Sequence, residues 1–273
     1  MKVVTYSVHG RTTVGEFEDE RVHELEADTM IDWLCNRGRE RTGSSNAVAD
    51  VVIRAPVLEP PSLRDFFAYE GHVAAGWRLR GQPIPEYWYQ APVFYFSNAA
   101  SIVGPGQPVR RPEGSNMLDF ELEVAAVVGA DSEIAGFTLM NDWSARDVQA
   151  GEMSVGLGPA KAKDFATSLG PWLVTPDELQ YSDGRLNIEA RVHVNGEELS
   201  VCHAGEQHYT WPEIVAQAAR DTRLRAGDVL GSGTLTGGCL LELGPLDGNR
   251  YLEPGDTVAI EAQGLGRLET RIA

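Results

Sequence analysis

The chain lacks any long apolar run: no window of its 273 residues approaches the roughly 18 to 20 consecutive apolar positions that a membrane-spanning helix needs. The opening segment, MKVVTYSVHGRTTVGEF, also lacks the apolar core of a secretory signal, so the expectation is a cytoplasmic protein with no membrane partner. Cysteine is scarce. The three present, Cys35, Cys202 and Cys239, are odd in number and far apart, which argues against a disulfide framework and against a CxxC-type zinc site. Basic residues are the minority, 23 against 40 acidic ones, giving a formal charge of −17. Such a surface repels phosphate backbones and excludes nucleic acid as a partner. Internal repeats and low-complexity tracts are missing too. The 42% hydrophobic content is ordinary for a globular chain with a sizeable core.

What is present reads as many short strands and few helices. Lys2 to Val8, Thr13 to Phe17 and Arg21 to Leu25 suggest strands. A helix follows in which Met30, Ile31, Trp33, Leu34 and Cys35 face inward, with Gly38 as its stop. PVLEPPS, Pro56 to Ser62, is too proline-rich for a regular element. It reads as a linker, dividing a small N-terminal α/β segment (1–60) from a main domain (61–273). Farther on, alternation from Leu186 to Val194 stops at Asn195-Gly196 and resumes, a strong hairpin signal. Thr210 with Glu213, followed by an apolar face of Ile214, Val215 and Ala218, marks the clearest helix. The fold class expected is α+β, β-rich, with long loops of the kind that carry function.

LDFELEVAAVVG, Leu118 to Gly129, is the most informative stretch. As a strand, its period of two places Asp119, Glu121 and Glu123 on one face and Leu118, Phe120 and Leu122 on the other. Neighbouring like charges raise one another's pKa and repel. Two readings remain open: a solvated edge strand, or a carboxylate cluster neutralised by a cation. Hard oxygen donors suit Mg²⁺, Ca²⁺ or Mn²⁺ better than Zn²⁺.

In MNDWSARDVQ, Asp142 occupies an N-cap position, and Asp142, Arg146 and Gln149 are spaced to share a helix face. A plain capped helix with an internal ion pair is one reading. In the other, Asp142 holds metal while Arg146 and Gln149 bind an anion and a carbonyl. In LRDFFAYEGHVAAGW, His72 follows Asp65 by seven residues. It is either a structural histidine or a base, since histidine's ordinary pKa of about 6.5 suits proton transfer near neutrality. Leu157–Trp172 is a further candidate stretch, and the glycine-dense Gly227–Gly244 is either a tight-turned loop or backbone that approaches a ligand closely.

These segments in this order resemble the fumarylacetoacetase (fumarylacetoacetate hydrolase) family over roughly residues 60 to 273. The Asp65…His72 pair comes first, then LDFELE, NDWSARDVQ, the K-x-F-x-T stretch from Lys163, GSGT, and PGDTVAIEAQGLGRL near the end. PVFYFSNAASIVGPGQPVRRP, Pro92 to Pro112, is similar to the family's lead-in to the LDFELE strand. The resemblance implies a mixed β-sandwich or roll catalytic domain and metal carboxylates Asp65, Glu121, Glu123 and Asp142. It also implies Lys163 and Thr167 beside the metal, carrying a second cation or an oxyanion. A catalytic His72 paired with Glu242 follows from it, as do substrate contacts from Tyr95, Arg146, Gln149 and Thr234. Two positions depart from the pattern: Phe67 and Met153 stand where fumarylacetoacetases have substrate tyrosines. The loop between Thr234 and Glu242 is shorter, and so is the N-terminal part, set against their separate N-domain. A less polar pocket is implied, suited to a bulkier or cyclic diketone.

The activity implied is hydrolysis of a carbon–carbon bond in a small 1,3-dicarbonyl keto acid, with Mg²⁺ (alternatively Ca²⁺ or Mn²⁺) as cofactor and a homodimer as the assembly. A decarboxylase, hydratase or isomerase on the same metal site is the enzymatic alternative, since fold similarity does not fix a reaction. A non-catalytic binding protein stabilised by its metal is the alternative from another class.

Overall fold

The structure is a computed structural model and describes residues 1–36, 38 and 40–273. At its centre the strand Leu122–Val128 is buried along its whole length and serves a core on each side. Leu122, Val124, Ala126 and Val128 enter the larger core, Ala125 and Val127 the smaller one, as a period of two requires. A strand covered on both faces must be apolar throughout, which accounts for the VAAVV run after Glu123.

This strand lies within a twelve-stranded mixed sheet. One neighbour is Ile134–Asp142, which leads through Thr167–Val174 to the N-terminal strands Lys2–Val8, Arg11–Glu18, Arg21–Leu25 and Arg41–Ala47. On its other side come Val229–Gly231, Leu63–Phe66 and Phe94–Ser97, with Leu63–Phe66 parallel to Val229–Gly231. A four-stranded sheet of Glu197–His203, Glu189–Val194, Thr257–Ala262 and Gly266–Arg271 covers one face. Val192, Val258, Ile260 and Leu268 from it share the larger core with Val124, Phe137 and Val174. The result is the β-rich α+β sandwich expected from the sequence.

Local signals match local structure. The hairpin turns at Asn195-Gly196, whose φ values of 53° and 86° are those of a type I′ turn. Trp211–Ala219 is helical, and the Glu213 carboxylate accepts from the backbone N–H and the hydroxyl of Thr210 at 2.8 and 2.7 Å. Met30–Asn36 is the first helix, with Met30, Trp33 and Leu34 buried; Cys35, expected inside, is exposed. The stop expected at Gly38 lies between Arg37 and Arg39, which fall outside the described residues.

The N-terminal strands join the central sheet. Lys2 and Val3 pair with Val174 and Leu173, so the first strands extend the central sheet. Val3, Val14, Leu25, Met30, Trp33 and Leu34 complete the smaller core with Leu63, Ala125, Val127 and Val229. Residues 56–62 are irregular, as their prolines demand, yet Val57 is buried in that same core. Short strands with one apolar face need a partner, and here the partner is the rest of the chain.

Candidate active site

Three strands of the central sheet end in acidic residues on one face. Asp65 is on Leu63–Phe66, Glu123 on Leu122–Val128, and Asp142 closes Ile134–Asp142. By parity each points the way of the smaller core, as do Leu63, Ala125 and Met140. Their oxygens meet within 4.8 Å of one another, all buried. What lets them meet is Gly231, which stands in register between Ala125 and Asp65. A Cβ there would overlap Asp65 Oδ1 and the Met140 methyl, so only glycine leaves the space. Gly233 (φ +80°) then turns the backbone, and its N–H donates to Asp65 Oδ1 at 3.2 Å.

Asp142 is therefore not a helix cap. It ends a strand, and the helix Arg146–Ser154 begins four residues later with Ala145 at its N-cap. The expected Asp142–Arg146 pairing is absent among the described residues; Arg146 turns to other carboxylates. The uninterrupted acidic strand is also corrected: Leu118–Asp119 pairs with Ser144–Ala145, and the ladder resumes only at Leu122. Across this break Arg146 ties Asp119 to Glu121. Its Nε lies 2.8 Å from Asp119 Oδ2, and its Nη1 lies 2.8 Å from Glu121 Oε1. Asp119 also accepts from the Leu240 and Leu241 N–H groups at 2.8 and 3.0 Å.

Glu121 sits beside the three clustered carboxylates, held by cations. Lys163 Nζ reaches Glu121 Oε2 and, at 2.6 Å, Asp142 Oδ2. Tyr95 donates to Asp142 Oδ2 at 2.6 Å, and Thr234 donates to Glu123 Oε1 at 3.3 Å. The hydroxyls of Tyr95 and Thr234, expected on a substrate, thus turn toward the carboxylates. Lys163, implied by the resemblance to lie beside the metal, is an ammonium that Asp142 and Glu121 hold charged against the opposing effect of burial, so it offers positive charge and no lone pair. Thr167 lies opposite Asp142 in register, is not among the residues lining the cavity, and has its hydroxyl 3.5 Å from Ser97 Oγ.

The charges divide unequally. Burial raises Asp65 from its ordinary 3.8 to about 8, helped by the charge of Asp142. Burial also drives Glu123 well above the carboxylate range and raises Asp142. For Glu121, burial is outweighed by Lys163, Arg146 and His72, which hold it below that range. Five buried carboxyl groups (Asp65, Asp119, Glu121, Glu123, Asp142) thus face two fixed cations, Lys163 and Arg146. The excess is negative, and Glu123 Oε2 and Asp142 Oδ1 are buried without a hydrogen-bond partner among the described residues. Orphaned buried oxygens are costly unless something positive completes them. An all-oxygen set of this kind fits a hard divalent cation.

His72, buried in the helix Glu70–Leu79, places Nδ1 2.7 Å from Glu242 Oε1 and Nε2 4.0 Å from Glu121 Oε1. Glu242 rides on the turn Leu240–Leu243, and its Oε2 accepts from Gly237 N–H at 3.0 Å. A cavity of about 470 Å³ opens above these groups. Its floor holds Asp65, Glu121, Glu123, Arg146 and Lys163; its mouth is apolar, with Trp77, Phe94 and Met153. Phe67 packs edge-on against His72 at 5.4 Å between ring centres, and Gln149 Oε1 accepts from Arg146 Nη1 at 3.1 Å. Sequence reasoning missed the tasks of Asp119 and Gly231. The GSGT motif held the only signal for the glycine, and the LDFELE run the only signal for the aspartate.

A mixed β-sandwich with an acid-lined cavity, a His–Glu pair and buried basic donors defines a class of enzymes acting on small molecules. The chain belongs to one family of that class: residues 63–273 match the fumarylacetoacetate (FAA) hydrolase C-terminal family. It is 33% identical to a fumarylacetoacetase of Oryza sativa subsp. japonica over 72% of this chain and 62% of that protein. With the Arabidopsis thaliana fumarylacetoacetase the identity is 35%, over 71% of this chain and 63% of the other. The chain thus spans less than two thirds of the length of these relatives. Among solved structures, a 2-hydroxyhepta-2,4-diene-1,7-dioate isomerase from Mycobacterium marinum superposes with a TM-score of 0.76. That match has 25% identity and covers 100% of this chain and 98% of the other. A fumarylacetoacetate hydrolase from Exiguobacterium antarcticum shares the fold at a TM-score of 0.77 and 24% identity, over 100% and 99% of the two chains. Among the described residues no helix is long and apolar enough to cross a membrane.

Proposed function

We propose that this protein is a metal-dependent hydrolase that cleaves a carbon–carbon bond in a small 1,3-dicarbonyl acid. The observation that carries this reading is the His72–Glu242 contact of 2.7 Å, with Nε2 turned toward the carboxylate floor of the cavity. Glu242 accepts from Nδ1–H, which fixes the tautomer and leaves Nε2 as the proton acceptor. A water in the cavity gives its proton to Nε2 and attacks one carbonyl carbon. The bond between that carbon and the central methylene breaks, and a proton returned to the methylene yields a carboxylic acid and a ketone.

Arg146, held by Asp119, and the amide nitrogen of Gln149 line the cavity as the donors available to the oxyanion, and Lys163 adds a positive charge among the carboxylates. When bound by Asp65, Glu123 and Asp142, with Glu121 adjacent, a divalent cation supplies Lewis-acid stabilisation of the enolate charge. Mg²⁺ is the expected ion, Ca²⁺ and Mn²⁺ the alternatives. Apolar groups at the mouth, Phe67, Trp77 and Met153, favour an acid with an apolar substituent.

A second reading, isomerisation of an unsaturated keto acid, is favoured by one observation. The similarity to the M. marinum protein, whose name is an isomerase, runs over nearly the whole of that chain. Product analysis separates the two. Incubation of the Mg²⁺-loaded protein with acylpyruvates, fumarylacetoacetate-type acids and 2-hydroxydienoates should give two smaller acids from a diketone. Conversion of a dienoate with no change in mass, and no cleavage of any diketone, would overturn hydrolysis in favour of isomerisation. Carbon dioxide release would identify a decarboxylase.

A further inference from the structure

A second group of ligating atoms lies on the far side of the imidazole from the carboxylate floor. Cys239 is fully buried at the start of the turn that carries Glu242. Its Sγ is 3.5 Å from Glu242 Oε1 and 3.8 Å from His72 Nδ1, and those two atoms are 2.7 Å apart. A tetrahedral zinc ion holds sulfur at about 2.3 Å and nitrogen or oxygen at about 2.0 to 2.1 Å, so neighbouring ligand atoms lie roughly 3.3 to 3.6 Å apart. Two edges of the triangle already match to within a few tenths of an ångström. The third, between nitrogen and oxygen, must open by roughly 0.6 Å. The Glu242 side chain retains 9% exposure, which leaves a route for an ion and a water as fourth ligand.

We propose that His72, Cys239 and Glu242 form a second cation site, selective for a soft divalent ion of the zinc class, whose occupation takes His72 out of water activation. Selectivity follows from donor chemistry: thiolate, imidazole and carboxylate favour zinc, whereas the all-oxygen floor favours hard ions. On binding, the thiol proton leaves to solvent and the Nδ1 proton shifts through solvent to Nε2, sulfur–metal and nitrogen–metal bonds form, and no electron changes hands. Thiolate and carboxylate together balance the ion's two charges. One imidazole thus faces both sites, Nε2 toward the hard-ion floor and Nδ1 toward the soft site. The inhibitory part rests on His72 acting as the base; binding itself does not.

Cobalt(II) serves as a visible stand-in for zinc. The Mg²⁺-loaded wild-type protein should develop a thiolate-to-cobalt charge-transfer band in the near ultraviolet and bind one cobalt more than Cys239→Ser. In excess Mg²⁺, zinc should inhibit C239S at least ~10-fold less effectively than wild type. Absence of the band in wild type, or its persistence in C239S, would overturn the site. The wild-type spectrum decides this even if the variant fails to fold. A band lost in C239S with equal zinc inhibition of both proteins would overturn the inhibitory role. If no diketone or dienoate is turned over, the enzymatic reading fails while the cobalt spectrum still decides the site.

Discussion

Asp119 and Arg146 form a fully buried ion pair, with Arg146 Nε 2.8 Å from Asp119 Oδ2. The same carboxylate accepts the N–H groups of Leu240 and Leu241. One side chain therefore fixes both the arginine of the pocket and the turn that carries Glu242. Breaking a buried pair by removing one partner costs on the order of 3 to 5 kcal/mol, because it strands the other charge. Asp119→Ala should lose about 3 kcal/mol in denaturant unfolding of the metal-loaded protein. A loss under about 1 kcal/mol would show that Glu121 alone satisfies Arg146.

Protons and metal compete for the same oxygens. With Asp65 raised from 3.8 to about 8, its contribution to the stability of the metal-free fold is present below its ordinary value and lost as pH rises through about 8. Burial raises Glu123 and Asp142 in the same sense. Protein stripped with EDTA should thus lose stability as pH climbs toward about 8, and added Mg²⁺ should restore it. Mg²⁺ uptake should also release protons, so calorimetric heats should differ between buffers of different ionisation enthalpy. Equal heats would contradict this.

Gly231 is the space into which the floor converges. Gly231→Ala should fold, because its neighbours on the sheet are ordinary strand residues, but should bind Mg²⁺ on the order of 10- to 100-fold more weakly. Metal titration followed by thermal unfolding reads this directly. Unchanged affinity would mean that Asp65 is not a ligand.

Lys163 neutralises Glu121 and Asp142. Lys163→Met strands two buried carboxylates, so the variant should be several-fold more dependent on Mg²⁺ for stability than wild type. Its turnover should fall on the order of 10²- to 10³-fold, the usual cost of losing one electrostatic donor. A variant with near-normal kcat would remove Lys163 from the oxyanion contacts.

Much of this was legible in the sequence because it is local. A continuous apolar run marks the VAAVV strand, Asn195-Gly196 marks the hairpin between Glu189–Val194 and Glu197–His203, and Asp65, His72, Glu121 and Glu123 stand in recognisable motifs. What was not legible depends on pairing between distant segments. Asp142 reads as a helix cap because only three residues separate it from the helix, and the ladder to Thr167–Val174 is what makes it a strand end. The N-terminal strands read as a separate unit because nothing in their pattern reveals that Val3 pairs with Leu173. Gly231 carries no side chain to notice, and its importance lies in what its neighbours require.

The most direct test replaces the imidazole. His72→Asn keeps the side chain's approximate size, and no metal ligand is removed, so Mg²⁺ stoichiometry and affinity should match wild type. Turnover of whichever acid the wild-type protein converts should fall by at least ~10²-fold. An H72N protein that retains wild-type kcat with its metal bound would contradict the assignment of His72 as the group that activates water.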